Sequence, residues 1–196
     1  MGVPARGVAV VREHACRGAV LFSNAHGPTA YFNPSAEKHA ALYFGRGLAS
    51  HLLQQRVRAP QPLADDARYV VEFNTGGMRV VELEAYLRAK DSVKLYYYVE
   101  AGAPDVGTMA RAAGFAFEDI DKAYGFGPRA SYCFKTVARC YQRAGVRVRP
   151  ERLLGRDVVL SQCFTRDPHW VCVYDSASGA CLLPWHRDYL KWRVDG

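Results

Sequence analysis

No apolar run in this chain approaches the ~20 residues that a membrane-spanning helix needs. The N-terminal "MGVPARGVAVVREHACRG" breaks its apolar part with charges, so a secretory signal peptide is not expected. Position 6 is Arg6 rather than a hydroxyl residue, which argues against N-myristoylation of Gly2. There is no CxxC pair, and the spacing of Cys163, His169 and Cys172 matches no common zinc pattern, so no metal site is expected. Internal repeats and low-complexity tracts are also missing, which excludes solenoids and arrays. Lysine is scarce beside arginine, and the basic residues are scattered along the chain. With a net charge of +7, a basic face could meet anionic lipid. Only residues 143–156 are locally dense in arginine, so a nucleic-acid interface is not expected.

What is present is enough for one domain, residues 1–196, with 49% hydrophobic content to build a core. Six cysteines, Cys16, Cys133, Cys140, Cys163, Cys172 and Cys181, read as reduced thiols in a chain of this length without a secretory leader. Strand signals fall at 18–24, 38–44, 68–74, 92–100 and 169–176, and "TGG" at 75–77 suits a hairpin turn into 78–83. Residues 47–55 suit a strand or a helical turn equally. Residues 56–67, with two prolines and two adjacent aspartates, read as a loop. Helical patterns cover 82–91, 104–118 and about 132–144, the last ended by Gly145. Ser131 is the N-cap candidate of that last helix. The pattern predicts an α+β fold with an antiparallel sheet and a few helices.

The chemistry concentrates at the start of the last helix. "YGFGPRA" is a loop and "SYCFKTVARCY" begins a helix, so Cys133 stands at the junction. A helix N-terminus carries unsatisfied N–H groups and about half a positive charge, which favours a thiolate and can hold an oxyanion. The competing reading is a small buried apolar residue, which is the expectation for Cys140 two turns deeper. A cysteine nucleophile needs a base. Of His14, His26, His39, His51, His169 and His186, His39 is the best placed, because it opens a strand just after the turn "NPSAEK". His14, His26 and His186 read as solvated and His169 as structural. Glu72 is an acid inside the apolar run "YVVEFN" and needs either a partner or an outward-facing position.

These residues come in the order and wording of a known group. "HAALYFG" (39–45), "VVEFNTGGMRVVEL" (70–83) and "YCFKTVARCYQRAG" (132–145) resemble the circularly permuted NlpC/P60 superfamily of papain-like thiol enzymes, which is related to lecithin:retinol acyltransferase. "NPSAEKH" (33–39), "YGFG" (124–127), "YCFK" (132–135) and "LGRDVVLSQCFT" (154–165) resemble its poxvirus branch, over about residues 18–176. The resemblance implies a permuted papain-like fold with Cys133 as nucleophile, His39 as base and Glu72 as the orienting third residue. His51, twelve residues after His39, is the alternative third member. Tyr124, Tyr132 and Phe134 are implied to line the substrate site; Phe134 stands where the group usually has serine. No cofactor is implied. The implied activity is a cysteine hydrolase or acyltransferase on an amide, ester or thioester of a host or viral protein or lipid, in the host-cell cytoplasm. The alternatives are a catalytically idle papain-like module that captures a host factor or lipid, and a structural virion component.

Overall fold

The computed structural model describes residues 2–24, 34–127 and 129–181. Its centre is an eight-stranded sheet in which every paired neighbour is antiparallel. The strands are β1 (Val20–Asn24), β2 (His39–Gly45), β3 (Tyr69–Asn74), β4 (Gly77–Glu82), β5 (Ser92–Glu100), β6 (Ala103–Pro104), β9 (Trp170–Asp175) and β10 (Ala180–Cys181). They run in the order β10-β9-β5-β1-β2-β3-β4, with β6 paired to β5. A separate hairpin is made of β7 (Glu151–Leu153) and β8 (Arg156–Val158). The helices are α1 (Ala5–His14), α2 (Leu48–Gln54), α3 (Leu83–Arg88), α4 (Val106–Gly114), α5 (Cys133–Arg143) and α6 (Gln162–Thr165).

The expected α+β class is what is observed. β1 and β2, the central strands, are almost wholly buried because both faces are covered, which explains their continuous apolar runs. β3 and β4 form the expected hairpin about Thr75–Gly76. The ambiguous segment 47–55 is helical: Gly47 takes a left-handed turn at φ 76° and starts α2, with Leu48 and Leu52 inward. α4 is shorter than expected, ending at Gly114, and its N-cap Asp105 accepts from Thr108 N at 2.9 Å. α1 was not anticipated, for it has no side-chain cap and no acid in its first turn. The β7–β8 hairpin has no sequence signal either, since three-residue strands carry too little periodicity.

α5 lies across β2 and β3 and against α4. Val137, Cys140 and Tyr141 share its buried face, as the helical spacing predicts. Tyr141 Oη donates to the Gly18 carbonyl at 2.6 Å, tying α5 to the turn before β1. The aromatic layer beneath joins Phe22, Phe134 and Phe164, and continues through Trp170 to Tyr141. Edge-on pairs such as Tyr141–Trp170, 4.5 Å between centroids, add to the burial itself. His14 departs from the solvated reading: it is largely covered, with its side chain 14% exposed, and its carbonyl accepts from Tyr97. His26 and His186 lie outside the described residues.

Gly18 shows how tightly this turn is fitted. Its φ is +86°, and a Cβ there would come within 1.8 Å of the Met109 carbonyl oxygen. Both backbone strain and overlap oppose a side chain. Gly18→Ala is expected to destabilise the protein by about 3 kcal/mol, read as a lower denaturation midpoint with an unchanged denaturant slope. A midpoint equal to wild type would contradict this packing.

Candidate active site

Cys133 is the first residue of α5. The first intrahelical bond runs from Thr136 N to Tyr132 O at 2.9 Å, so the N–H groups of Cys133, Phe134 and Lys135 precede it and point out of the helix end. Cys133 is buried, 5% exposed as a residue. The N-cap is Tyr132, in extended backbone, not Ser131 as expected. The Ser131 hydroxyl is drawn to a stronger acceptor: it donates to Asp119 Oδ2 at 2.7 Å and lies 2.8 Å from Thr136 Oγ1. A carboxylate acceptor outcompetes a neutral amide contact. Asp119 is buried and also meets Lys122 and Arg139. One buried acid therefore fixes both the residue two before the thiol and the residue three after it.

His39 opens β2, and Glu72 lies on β3. The register puts Ala41 opposite Glu72, so His39 and Glu72 are diagonal neighbours on one face of the sheet. His39 Nε2 and Glu72 Oε2 are 2.8 Å apart. An ionised carboxylate only accepts, so Nε2 carries the proton and Nδ1 is the ring nitrogen left for Cys133. Burial opposes charge on the ring, but the Cys133 charge and hydrogen bonds to Cys133 and Glu72 outweigh it, against a contrary push from Lys90. The net effect raises His39 to about 9.

Glu72 is 6% exposed. Alone, such a burial would cost several kcal/mol. Here burial pushes the carboxyl up, and the His39 hydrogen bond and charge, with Lys90, overcome it and hold the group at about 2. Lys90 Nζ is 3.4 Å from Oε2, and Arg79 is 3.8 Å from Oε1. Lys90 also lies over the Tyr86 ring at 4.6 Å, and the Tyr86 hydroxyl meets Ser23 Oγ at 3.1 Å. Lys90, Tyr86 and Asp119 were not foreseen from the sequence.

The other foreseen residues divide. Tyr124 is half exposed, stacks on Phe73, and is near enough for the Cys133 charge to help burial raise its hydroxyl pKa. It bridges Ser131 beside the thiol. Tyr132 packs against Phe126 and accepts from Val159 N at 2.8 Å; burial first, then nearby charges including Cys133, push its hydroxyl up to about 12. Phe134 is a correction: it is 1% exposed and belongs to the core against Phe22. At the second position of α5 its side chain points into the sheet rather than the cleft. His51 packs on Phe44 and lies 3.4 Å from the Gly114 carbonyl. Phe44 is five residues along β2 from His39, roughly 16 Å away along the strand, so His51 packs toward the other end of β2. The structure brings Glu72 to His39, and not His51.

Cys140 is buried in the core, and burial pushes its thiol well up. Cys16 and Cys163 are buried and Cys172 is partly covered; none of the three is in a disulfide. His169 pairs with Asp167 at 2.8 Å on the surface. Among the described residues no group of three or more His, Cys, Asp or Glu could hold a metal ion, and no helix is long and apolar enough to cross a membrane.

Among the elements of the site, the histidine strand β2 comes first in chain order and the cysteine helix α5 last. Residues 14–174 match the family of permuted papain-like amidase enzymes, YaeF/YiiX. The chain belongs to this family. It is also 35% identical to Protein OPG091 of Monkeypox virus over 182 residues, covering 92% of this chain and 96% of that protein. Protein OPG091 of Vaccinia virus (strain Copenhagen) gives the same figures. That of Variola virus is 34% identical over the same share of each chain.

The charged pair makes a two-sided pH prediction. Glu72, ordinarily near 4.5 and held at about 2, stabilises the fold above pH 4.5 and loses that contribution as pH falls through 2. His39, ordinarily near 6.5 and raised to about 9, contributes fully below 6.5 and loses it as pH rises through 9. The stability gap between wild type and Glu72→Gln is therefore widest between pH 4.5 and 6.5, on the order of 3 kcal/mol, and narrows on both sides, the Lys90 contact persisting on the alkaline side. By NMR the His39 ring in Glu72→Gln should titrate roughly one pH unit or more below wild type. An unchanged His39 titration would contradict the pairing.

Proposed function

We propose that the protein is a cysteine acyl hydrolase or acyltransferase with Cys133 as nucleophile, His39 as base and Glu72 as orienter. The observation that carries this reading is the 2.8 Å His39–Glu72 bond with the Cys133 thiol within hydrogen-bonding reach of the same ring. The family relationship supports amidase-type chemistry. In the proposed step the sulfur attacks a carbonyl carbon while His39 holds the thiol proton. The tetrahedral oxyanion is received by the Cys133 N–H at the start of α5 and a neighbouring donor, each worth roughly 3 kcal/mol. His39 then gives the proton to the leaving amine, alcohol or thiol as the carbonyl–heteroatom bond breaks, leaving a thioester on Cys133. Water, deprotonated by His39, or an acceptor nucleophile then releases the acyl group. Glu72 keeps the ring in one tautomer and steadies its positive form, as the acid does in hydrolase triads.

The substrate class of this reading is an acylated or peptide-bonded host or viral protein, or a lipid, met in the host-cell cytoplasm. Tyr124, half exposed beside the nucleophile, and Tyr132 are its proposed cleft residues.

The reading is tested with p-nitrophenyl butyrate. Wild type should release a burst close to one equivalent of nitrophenol, and mass spectrometry should find the butyryl group on Cys133. Cys133→Ala should give no burst, and His39→Ala should slow it at least about a hundredfold, both with wild-type circular dichroism. Full folding with no acyl group on Cys133 in wild type would refute the enzyme reading and favour the idle binding module.

A further inference from the structure

The β7–β8 hairpin is rooted beside the site, since Val159 N, just after β8, donates to the Tyr132 hydroxyl at 2.8 Å, and its turn lies at the opposite end of the two strands. Its two-residue turn, Leu154–Gly155, has φ of 49° and 78°. Glycine and asparagine are the residues that take such positions readily, yet the first is leucine. That leucine is 96% exposed, and Leu153 before it is 39% exposed. An apolar side chain is held fully in solvent at a position where neither backbone preference nor core packing calls for it.

The surroundings of this tip are cationic. Arg152 and Arg156 flank it, and Arg147 and Arg149 lead into it. Arg152 is matched by Asp157 and Arg166 by Glu151. Arg147, Arg149 and Arg156 have no carboxylate partner among the described residues. At the base of the hairpin a cleft of about 550 Å³ is lined by Arg147, Arg149, Arg166 and His169 and by two carboxylates, Glu151 and Asp167, which are already engaged by Arg166 and His169. This is the stretch in which the arginines of the chain are densest.

We propose that the hairpin is a peripheral docking element for an anionic phospholipid bilayer. Leu153 and Leu154 enter the boundary between headgroups and acyl chains, Arg149, Arg152 and Arg156 meet the headgroup phosphates, and the basal cleft receives one headgroup. Two features favour a bilayer over other occupants. The apolar area is a two-residue tip, far below the ~800 Å² per partner of a stable protein interface, whereas shallow insertion beside basic residues is how interfacial elements hold a membrane. A phosphate backbone alone, as in nucleic acid, would give the leucines nothing to bury against. The proposal is independent of whether Cys133 is a nucleophile.

The test is co-sedimentation of the full chain with phosphatidylcholine vesicles, with and without phosphatidylserine, at low and high salt. Wild type should bind the phosphatidylserine vesicles at least about tenfold better than phosphatidylcholine alone, and high salt should release it. Leu153→Ser with Leu154→Ser should lose most of this binding, as should Arg147→Gln with Arg149→Gln. Both pairs are at the surface, so thermal unfolding should stay near wild type. As a second readout, Leu154→Trp should show a blue-shifted emission with phosphatidylserine vesicles that brominated lipid quenches. The proposal is overturned by absence of any preference for phosphatidylserine, by equal binding of the leucine variant, or by an unquenched Leu154→Trp signal. It is overturned equally if the leucine pair instead abolishes a concentration-dependent dimer in sedimentation velocity.

Discussion

The hydrogen bond between His39 and Glu72 crosses from one β-strand to the next, and much of the molecule is arranged around it. The bond exists because β2 and β3 pair with Ala41 opposite Glu72, which sets the two side chains diagonally on one face. A carboxylate this deeply buried survives only with compensation. It has three cationic neighbours in His39, Lys90 and Arg79. Lys90 is in turn held over Tyr86, whose hydroxyl reaches Ser23 on β1, and Ser23 is the register partner of His39. The charged centre is thus enclosed by side chains from β1, β2, β3, β4, α3 and the segment just after α3.

The thiol side is built separately and brought to this pair by α5. The helix is fastened at its far end by Tyr141 on Gly18 and at its near end by Asp119 on Ser131 and Thr136. With both ends fixed, Cys133 has little freedom relative to His39. Such precision matters more to an acyl-transfer site than to a thiol that merely fills space. A free cysteine in a core needs no buried carboxylate behind its neighbour. Cys140, on the same helix, shows that alternative: it is packed in the core, and its ionisation is opposed by burial.

The sequence made the ends of this arrangement readable and left its middle obscure. His39 and Cys133 sit at element boundaries, a strand start after a turn and a helix start after a glycine-rich loop, and boundaries carry local signals. Glu72 was conspicuous because an acid interrupts an apolar strand. Choosing between Glu72 and His51 was beyond local pattern, since it depends on which residue of β3 faces which residue of β2. Lys90, Tyr86 and Asp119 reach the site across several elements, and nothing in their neighbours in sequence marks them. Phe134 was misplaced for a related reason: adjacency to Cys133 in sequence is a 100° rotation on a helix, enough to turn a side chain from cleft to core. The hairpin at 151–158 was hidden by its brevity, although the arginine density around it was visible.

The central claim is that Cys133 and His39 form one reactive unit, and the rate of Cys133 alkylation by iodoacetamide tests it most directly. The rate would be followed by mass spectrometry from mildly acidic to alkaline pH in wild type and His39→Ala. The account predicts that wild-type Cys133 is modified well below neutral pH, ahead of Cys16, Cys140, Cys163 and Cys172, and that His39→Ala removes this lead while the fold persists. Equal rates in the two proteins, or a Cys133 that reacts no sooner than the buried thiols, would contradict it.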